Sequence, residues 1–408
     1  MDSQPIYFTL QNGQRCVHIP SRGNVEYCCV VIGAGSRDES PADYGLAHFV
    51  EHTIFKGTAT RRSYHIINRM EAVGGELNAY TTKEETAVYT VAPAGHIERS
   101  AELLSDLIYN SVFPTDELNR EREVVADEID SYLDSPADAV FDDFDELMFA
   151  GSSMAHNILG NINTLRTFTS SDCRRWLDTY YYPANMVVCY SGRENQAKVE
   201  RILSRYFGGS ERLGNNARNV RGGEIKTVDK FSLMRNIDAH QAHTVLGARV
   251  GGMFSTDRHA LALLTNILGG PGMNSRLNVA LREKRGLVYT VEASSALLTD
   301  VGLFTIYFGC DHNDVERCSG LAMKEIAQLA ANPLKSQALA RAKRQYVGQL
   351  IVAADNAEQT ALSVARATLY RGHASTTAEI AAAIESVTSA SLCDLASSLL
   401  PISQLTLS

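Results

Sequence analysis

The chain has 408 residues and a net charge of −9, and 45% of its residues are hydrophobic. This length predicts roughly two to four domains with sizeable cores. The acidic balance gives no general attraction to nucleic acid or anionic membranes, and no apolar run is long enough to predict a transmembrane helix.

The N-terminal segment, MDSQPIYFTLQNGQR, is typical of a strand and a turn. It lacks the basic and then apolar regions of a signal peptide, and it lacks the Arg-rich amphipathic pattern of a transit peptide. We therefore expect a cytoplasmic protein. The cysteines are scattered without a CxxC pair, several of them in apolar runs, which favours buried free thiols over disulfides.

The first half of the chain mixes strand and helix patterns. Residues 5–34 are rich in β-branched and aromatic residues, and they predict two or three strands. Periodicity then predicts helices at 44–56 and 62–73, strands at 76–82 and 85–92, helices at 95–110, 115–133, 137–149 and 170–180, a strand at 185–191 and a helix at 195–206.

The second half repeats this order after a polar stretch at 208–224, which is rich in Gly and Asn and predicts a linker. Here the patterns predict strands at 229–236, 242–250, 288–295 and 302–309, a helix at 257–268, and a series of helices from 313 to 399. We infer an internal duplication of an α+β unit of about 200 residues. The predicted domains are 1–207 and 225–408.

A motif with metal-binding spacing lies in the first half, in YGLAHFVEHTIFKG. His48 and His52 are four residues apart in a predicted helix, so both imidazoles leave one face about one turn apart. Two imidazoles at this spacing can bind one zinc ion, and Glu51 lies on the same side. HxxEH is the reverse of the common HExxH zinc motif. The alternative is a helix surface that carries two solvated histidines and a glutamate.

The predicted helix at 115–133 offers a third ligand. At about 100° per residue, Glu121 and Glu128 fall on its apolar stripe, whereas most of its other charges lie on the opposite side. Carboxylates on an apolar face are costly unless they are paired or bind a metal. A buried salt bridge is the alternative, but beside a two-histidine motif we interpret these carboxylates as part of a metal site.

HFVEH, followed by the distant Glu128 in EREVVADEI, resembles the pitrilysin and insulysin family of metallopeptidases, which includes the mitochondrial processing peptidases. The resemblance implies that His48, His52 and Glu128 bind zinc and that Glu51 is the general base. It implies that Glu121 supports the site from outside the ligand set. The implied fold is α+β, with two homologous α/β-roll domains of antiparallel sheets packed with helices, forming half of a clamshell.

Two other segments resemble the same family. GGELNAYTTKEET is similar to an edge strand that takes the substrate backbone, which implies peptide binding along Asn78, Ala79 and Tyr80. LREKRGLVYTV is similar to a segment whose Arg and Tyr contact substrate near the scissile bond. These residues are Arg282 and Tyr289, and we expect Tyr289 to be a further donor to the oxyanion.

The zinc motif is not repeated in the second half. Aligning FKG at 55–57 with LGG at 268–270 puts three uncharged residues opposite the motif, namely Leu261, Leu264 and Thr265. The later helical segment SQALARAKRQYVGQLIVAA has no acidic residue. We therefore expect one zinc ion per chain.

Together these features predict a zinc-dependent endopeptidase that hydrolyses extended peptides or unfolded segments inside a closed dimeric chamber. Longer members of the family have four such domains, so we expect a homodimer, or a heterodimer with a related subunit. Arg282 and Tyr289 would then act at the partner's zinc. No nucleic-acid or membrane partner is expected. The alternative is a non-catalytic peptide-binding or structural subunit of a heterodimeric peptidase complex.

Overall fold

The computed structural model describes residues 4–210, 212 and 228–408, so most of the predicted linker at 208–224 lies outside the described residues. The chain forms two units. The first comprises the described residues of Met1–Asp130, His156–Val220 and Ala354–Thr376, and the second comprises those of Ser131–Ala155, Arg221–Ala353 and Thr377–Ser408. Neither unit is continuous in sequence, unlike the predicted domains.

A mixed six-stranded sheet is the frame of the first unit. Its strands are β1 (Ile6–Thr9), β2 (Arg15–Pro20), β3 (Val25–Ile32), β4 (Glu76–Thr81), β5 (Thr86–Pro93) and β6 (Met186–Gly192). The order is β1-β2-β6-β3-β5-β4. The β2–β6 pair is parallel and the other neighbouring pairs are antiparallel. Within the described residues β4 pairs only with β5, so β4 is an edge strand.

Helices make up most of the remaining regular structure. In chain order they are α1 (Leu46–Thr53), α2 (Ser63–Glu71), α3 (Ile97–Asn110), α4 (Thr115–Leu133), α5 (Pro136–Met148), α6 (Ile162–Leu165), α7 (Ser170–Tyr180), α8 (Gln196–Phe207), α9 (Arg258–Gly269), α10 (Val315–Ala331), α11 (Ser336–Ala353), α12 (Ala357–Arg371), α13 (Thr377–Ser386) and α14 (Ser389–Ser398). Within the described residues, none is long and apolar enough to cross a membrane.

The second unit repeats the sheet of the first. Its strands are β7 (Ser232–Arg235), β8 (Ala242–Gly251), β9 (Val288–Leu297), β10 (Val301–Cys310) and β11 (Ser403–Leu407), in the order β7-β11-β8-β10-β9. Only β7 and β11 run parallel. Strand for strand, the order and directions in the second sheet match those of β2-β6-β3-β5-β4 in the first sheet. The predicted α+β fold with two related units is confirmed, although β11 was not predicted.

One helix from each half of the sequence packs in the unit built mainly from the other half. The apolar face of α5, with Val140 and Phe144, joins a core cluster with Val245 and Leu405 of the second sheet. Conversely, α12 packs its apolar residues against β3 and β6 of the first sheet. The predicted boundaries therefore miss these two helices, because amphipathic periodicity shows that a helix has a buried face but not which sheet covers that face.

Candidate metal centre

Helix α1 brings the two motif histidines together. It is eight residues long and buries most of its first turn, including Leu46 and Phe49, in the core of the first unit. His48 and His52 leave the same face, and their ring centroids are 4.5 Å apart. His48 is buried, whereas His52 is partly accessible. The four-residue spacing thus gives the predicted pair of neighbouring imidazoles.

Helix α4 adds the third side chain of the cluster. Glu128 Oε2 lies 3.3 Å from His52 Nε2 and 3.7 Å from His48 Nε2. One ligand atom from each of the three residues lies within 4.8 Å of the other two. Within residues 4–210, 212 and 228–408, no other set of three His, Cys, Asp or Glu side chains converges in this way.

The charges in the cluster suit a cation. Burial, together with the neighbouring His52, lowers the pKa of His48 to about 3, so its imidazole is neutral and its nitrogen lone pair is available. Burial alone would also lower the pKa of His52, but the hydrogen bond to Glu121 and the nearby carboxylates of Glu51 and Glu128 raise it. Two imidazoles and a carboxylate are a donor set that zinc accepts, so the residues fit this metal.

Glu121 contacts His52 through Nδ1, the ring nitrogen that does not approach Glu128. It is buried on α4, and its Oε1 lies 3.0 Å from Nδ1 of His52, while its Oε2 lies 2.6 Å from Nζ of Lys56. Burial opposes ionisation of this carboxyl, but the bonds from His52 and Lys56 lower its pKa. With Nδ1 of His52 engaged by Glu121, Nε2 is left to face the cluster.

Lys56 was missed by the sequence analysis. It follows His52 by four residues, in the short 3-10 turn Ile54–Lys56 that continues α1, so it extends the same face. A helical periodicity carried through this turn would have placed its ammonium near Glu121. Lys56 balances one carboxylate of the site without taking part in the histidine cluster.

Glu51 lines a cavity of about 540 Å³. The side chain is half-buried, and burial raises its pKa, whereas Thr81 and His52 act in the opposite direction. His52 and Glu121 line the same cavity. A carboxylate is therefore present next to the histidine cluster, with space beside it for another molecule.

The edge strand β4 forms another wall of this cavity. Leu77, Asn78 and Ala79 line it. Because successive side chains alternate across a strand, Leu77 and Ala79 pack on the core that contains α1, whereas Tyr80 packs on the opposite face. Tyr80 also donates a hydrogen bond to Glu85 at 3.3 Å. The side chain of Tyr80 therefore faces away from the cavity, and peptide binding along Asn78, Ala79 and Tyr80 stays a prediction about the strand backbone.

Arg282 and Tyr289 belong to the second unit. Arg282 lies on a short helical segment, Asn278–Glu283, and Tyr289 lies near the start of β9. The guanidinium of Arg282 sits 5.8 Å from the ring centroid of Tyr289, and the tyrosine is 82% exposed. The two residues therefore contact each other, and both are accessible to another molecule.

Within the described residues of the second unit, no cluster of metal-binding side chains lies where α9 corresponds to α1. Leu261, Leu264 and Thr265 are all buried in or beside its apolar core. The neighbouring Asn266 donates a hydrogen bond of 2.7 Å to Gln349 of α11. Leu261, Leu264, Thr265 and Asn266 offer no imidazole or carboxylate ligand, and one zinc ion per chain stays a prediction.

Comparison with known proteins connects both halves to one family. Residues 20–161 match the family described as insulinase (peptidase family M16), and residues 167–346 match the one described as peptidase M16 inactive domain. An uncharacterized zinc protease of Bacillus subtilis is 32% identical, with 86% of this chain and 84% of that protein covered. A second uncharacterized zinc protease, of Streptomyces coelicolor, is 31% identical, with coverage of 87% and 78%.

Two solved structures have the same fold. A protease from Helicobacter pylori has a TM-score of 0.91 at 21% identity, and the match covers 100% of each chain. A peptidase M16 inactive domain from Pseudomonas fluorescens has a TM-score of 0.90 at 18% identity, covering 99% of this chain and 97% of the other.

Proposed function

This chain belongs to the insulinase family of peptidases (family M16), and the relatives from Bacillus subtilis and Streptomyces coelicolor are named zinc proteases. We propose that the chain is a zinc-dependent endopeptidase. The single observation that carries the proposal is the convergence of His48, His52 and Glu128 within 4.8 Å, beside Glu51. The substrate class we propose is extended peptides or unfolded segments.

His48, His52 and Glu128 would hold the metal. Zinc bound there would act as a Lewis acid that polarises the carbonyl of the scissile peptide bond. The chain's own part is to keep the imidazole of His48 neutral and to orient the ring of His52. Burial does this for His48, and the hydrogen bond from Nδ1 to Glu121 orients the ring of His52.

Glu51 would be the general base. It would accept a proton from the water that attacks the carbonyl carbon, and it would then deliver that proton to the leaving amine. Its place supports this role, since it shares the cavity with His52 and is one residue away from it. None of the other cavity-lining carboxylates, Glu71, Glu76 and Glu121, belongs to α1.

The free edge of β4 would bind the substrate backbone. An extended peptide can add to an exposed strand through main-chain hydrogen bonds, and only an unfolded segment has these groups free. Asn78 and Ala79 line the cavity next to Glu51, so a peptide paired with this edge would run past the histidine cluster. Folded proteins would be poor substrates for the same reason.

We also propose that the working enzyme is a dimer, either a homodimer or a heterodimer with a related subunit, enclosing the substrate in a chamber. In that arrangement Arg282 and Tyr289 would contact substrate bound at the zinc of the partner. The exposure of Tyr289 and its contact with Arg282 support a role in binding another molecule. A cation and a phenol together could bind the carbonyl oxygens of a peptide.

The deciding experiment is metal analysis of the purified chain coupled to cleavage of a mixed peptide library. We expect zinc in the protein and cleavage that a chelator abolishes. Glu123→Gln is a matched control, because Glu123 lies on the exposed side of α4, the helix that carries Glu128. A chain that holds zinc but cleaves no peptide would instead support the non-catalytic subunit.

A further inference from the structure

The helix that carries the histidine cluster has no cap of its own. α1 begins after Gly45, which has no side chain to accept a hydrogen bond from the first turn. Gly45 adopts a φ of +96°, and a Cβ atom there would lie 2.6 Å from the carbonyl oxygen of Leu159. A capping serine or aspartate is therefore excluded, yet the first N–H groups of a helix still require acceptors.

Glu39 supplies these acceptors from six residues upstream. Its Oε2 accepts a hydrogen bond of 2.9 Å from the Gly45 N–H, and its Oε1 accepts one of 2.7 Å from the Ala47 N–H. The carboxylate is fully buried. Ala47 directly precedes His48, so the second of these bonds acts on the residue next to a metal-binding side chain.

A second segment holds the Glu39 carboxylate and the start of the helix. His156 Nε2 lies 2.8 Å from Glu39 Oε2, and the imidazole stacks on Tyr44 with ring centroids 3.7 Å apart. Thr164 donates a hydrogen bond of 2.6 Å to the carbonyl oxygen of Tyr44. Tyr44, the residue before Gly45, is thereby held by His156 and by Thr164.

We propose that Glu39 and His156 are positioning residues for the metal site, and that they act by fixing the first turn of α1. This inference rests on the proposed zinc site. An isolated helix of two turns is only marginally stable, so its ends must be held by other parts of the fold. Glu121 holds the end with His52, and Glu39 holds the end with His48. Metal ligands must be kept within about 0.5 Å of their productive positions. Loss of the contacts made by Glu121 or by Glu39 should therefore lower the affinity for zinc.

The chain contains a matched control in Glu26. Its carboxylate accepts hydrogen bonds of 2.9 Å and 2.7 Å from the N–H groups of Gly95 and His96, at the start of α3, and one of 3.0 Å from Tyr190. Glu26 is buried, as Glu39 is. The two carboxylates thus cap helices in the same way, but α3 carries none of the three residues of the metal cluster.

The test compares Glu39→Gln with Glu26→Gln. Each substitution replaces one acceptor oxygen by an NH₂ group, so one of the two backbone N–H groups loses its partner. We expect both variants to melt a few degrees below the wild type. Zinc affinity, measured on the folded apo-protein by competition with a chelator, should fall by at least about tenfold in Glu39→Gln and stay unchanged in Glu26→Gln. Equal zinc affinities in the two variants would overturn the proposal.

A milder variant covers the case in which Glu39→Gln does not fold. His156→Phe keeps an aromatic ring against Tyr44 but removes the nitrogen next to Glu39, and it should weaken zinc binding several-fold. Unchanged zinc affinity in this variant would overturn the proposal. A wild-type chain that binds zinc without cleaving peptides removes the proposed peptidase activity alone, because the affinities still decide the role of Glu39. A wild-type chain without zinc affinity overturns both.

Discussion

The two units use the same five-strand arrangement but give it different chemistry. In the first, α1 and α4 bring two histidines and two glutamates together. In the second, α9 carries buried leucines and a threonine instead, and an amide pair joins α9 to α11. Glu128 and Gln349 are each the fourteenth residue of their helix. The backbone frame therefore accommodates either set, and the proposed metal site depends on a few side chains carried by that frame.

The difference also has an energetic side. A neutral amide pair such as Asn266 and Gln349 loses little on burial, because each group finds a hydrogen-bond partner. Carboxylates gathered at one place repel each other and lose hydration, so they need a cation between them. Lys56 provides this positive charge for Glu121 through a salt bridge. Glu128 has no such lysine or arginine in a described salt bridge, only the two histidines.

We expect the largest effect on zinc binding when residues of the first unit are replaced by their counterparts in the second. His48→Leu and Glu128→Gln copy Leu261 and Gln349 one position at a time. Each should reduce the zinc content of the purified protein to near zero and abolish hydrolysis, because only two ligands remain. Elemental analysis after dialysis and a peptide cleavage assay provide the measurement. Glu123→Gln should behave like the wild type, and full zinc content in either ligand variant would contradict the site.

Glu51→Gln separates binding from chemistry. Glu51 is outside the ligand group, so zinc content should remain as in the wild type. Loss of the general base should lower kcat by roughly 10²–10⁴-fold. Zinc analysis and steady-state kinetics on the same preparation measure both effects. Cleavage by Glu51→Gln at the wild-type rate would exclude the proposed role.

Mixing subunits tests whether the second unit serves the site of a partner. Glu51→Gln and Arg282→Ala should each be nearly inactive as homodimers. In a mixed dimer one site carries both lesions and the other carries neither, so activity should return toward one intact site per heterodimer. The measurement is peptide cleavage after subunit exchange has been demonstrated by mass spectrometry. Continued inactivity after proven exchange would show that Arg282 works within its own chain, or that the chamber proposal is wrong.

Glu121→Gln should have the smallest effect of these changes. The amide oxygen can still accept a hydrogen bond from His52, but the amide no longer balances the charge of Lys56, and its NH₂ group can also donate to the other histidine tautomer. We expect zinc affinity to fall by roughly 10–100-fold, with zinc still bound at saturating concentration. Chelator competition measures the change. Unchanged affinity and turnover would make Glu121 an ordinary buried ion-pair partner.

Much of the metal centre follows from sequence because its geometry is local. The spacing of His48 and His52 sets their distance within one helix, and the stripe on α4 places Glu121 and Glu128 on the same buried face. That α1 and α4 meet is predicted by the carboxylates on the apolar stripe of α4 together with the family resemblance. Glu39 could not be anticipated from these patterns, because its role depends on a glycine backbone conformation and on a loop more than a hundred residues away.

The fold was predictable where periodicity is long and was missed where partners are remote. The helix predicted at 115–133 has those bounds in the structure. β11 is only five residues long, and its neighbours in the sheet, β7 and β8, lie far away in sequence. A strand of this length carries too little alternation to be recognised, and its pairing is determined by long-range contacts.

The reciprocal placement of α5 and α12 has a consequence for synthesis on the ribosome. Domains of a chain usually fold in order as they emerge, the N-terminal one first. Here the side of the first sheet that packs on α12 stays uncovered until residue 371 has been synthesised. The second sheet is incomplete until β11, at residues 403–407, has been synthesised. Neither unit can complete its core early, so both should reach their native state together, only after residues 403–407 have been synthesised.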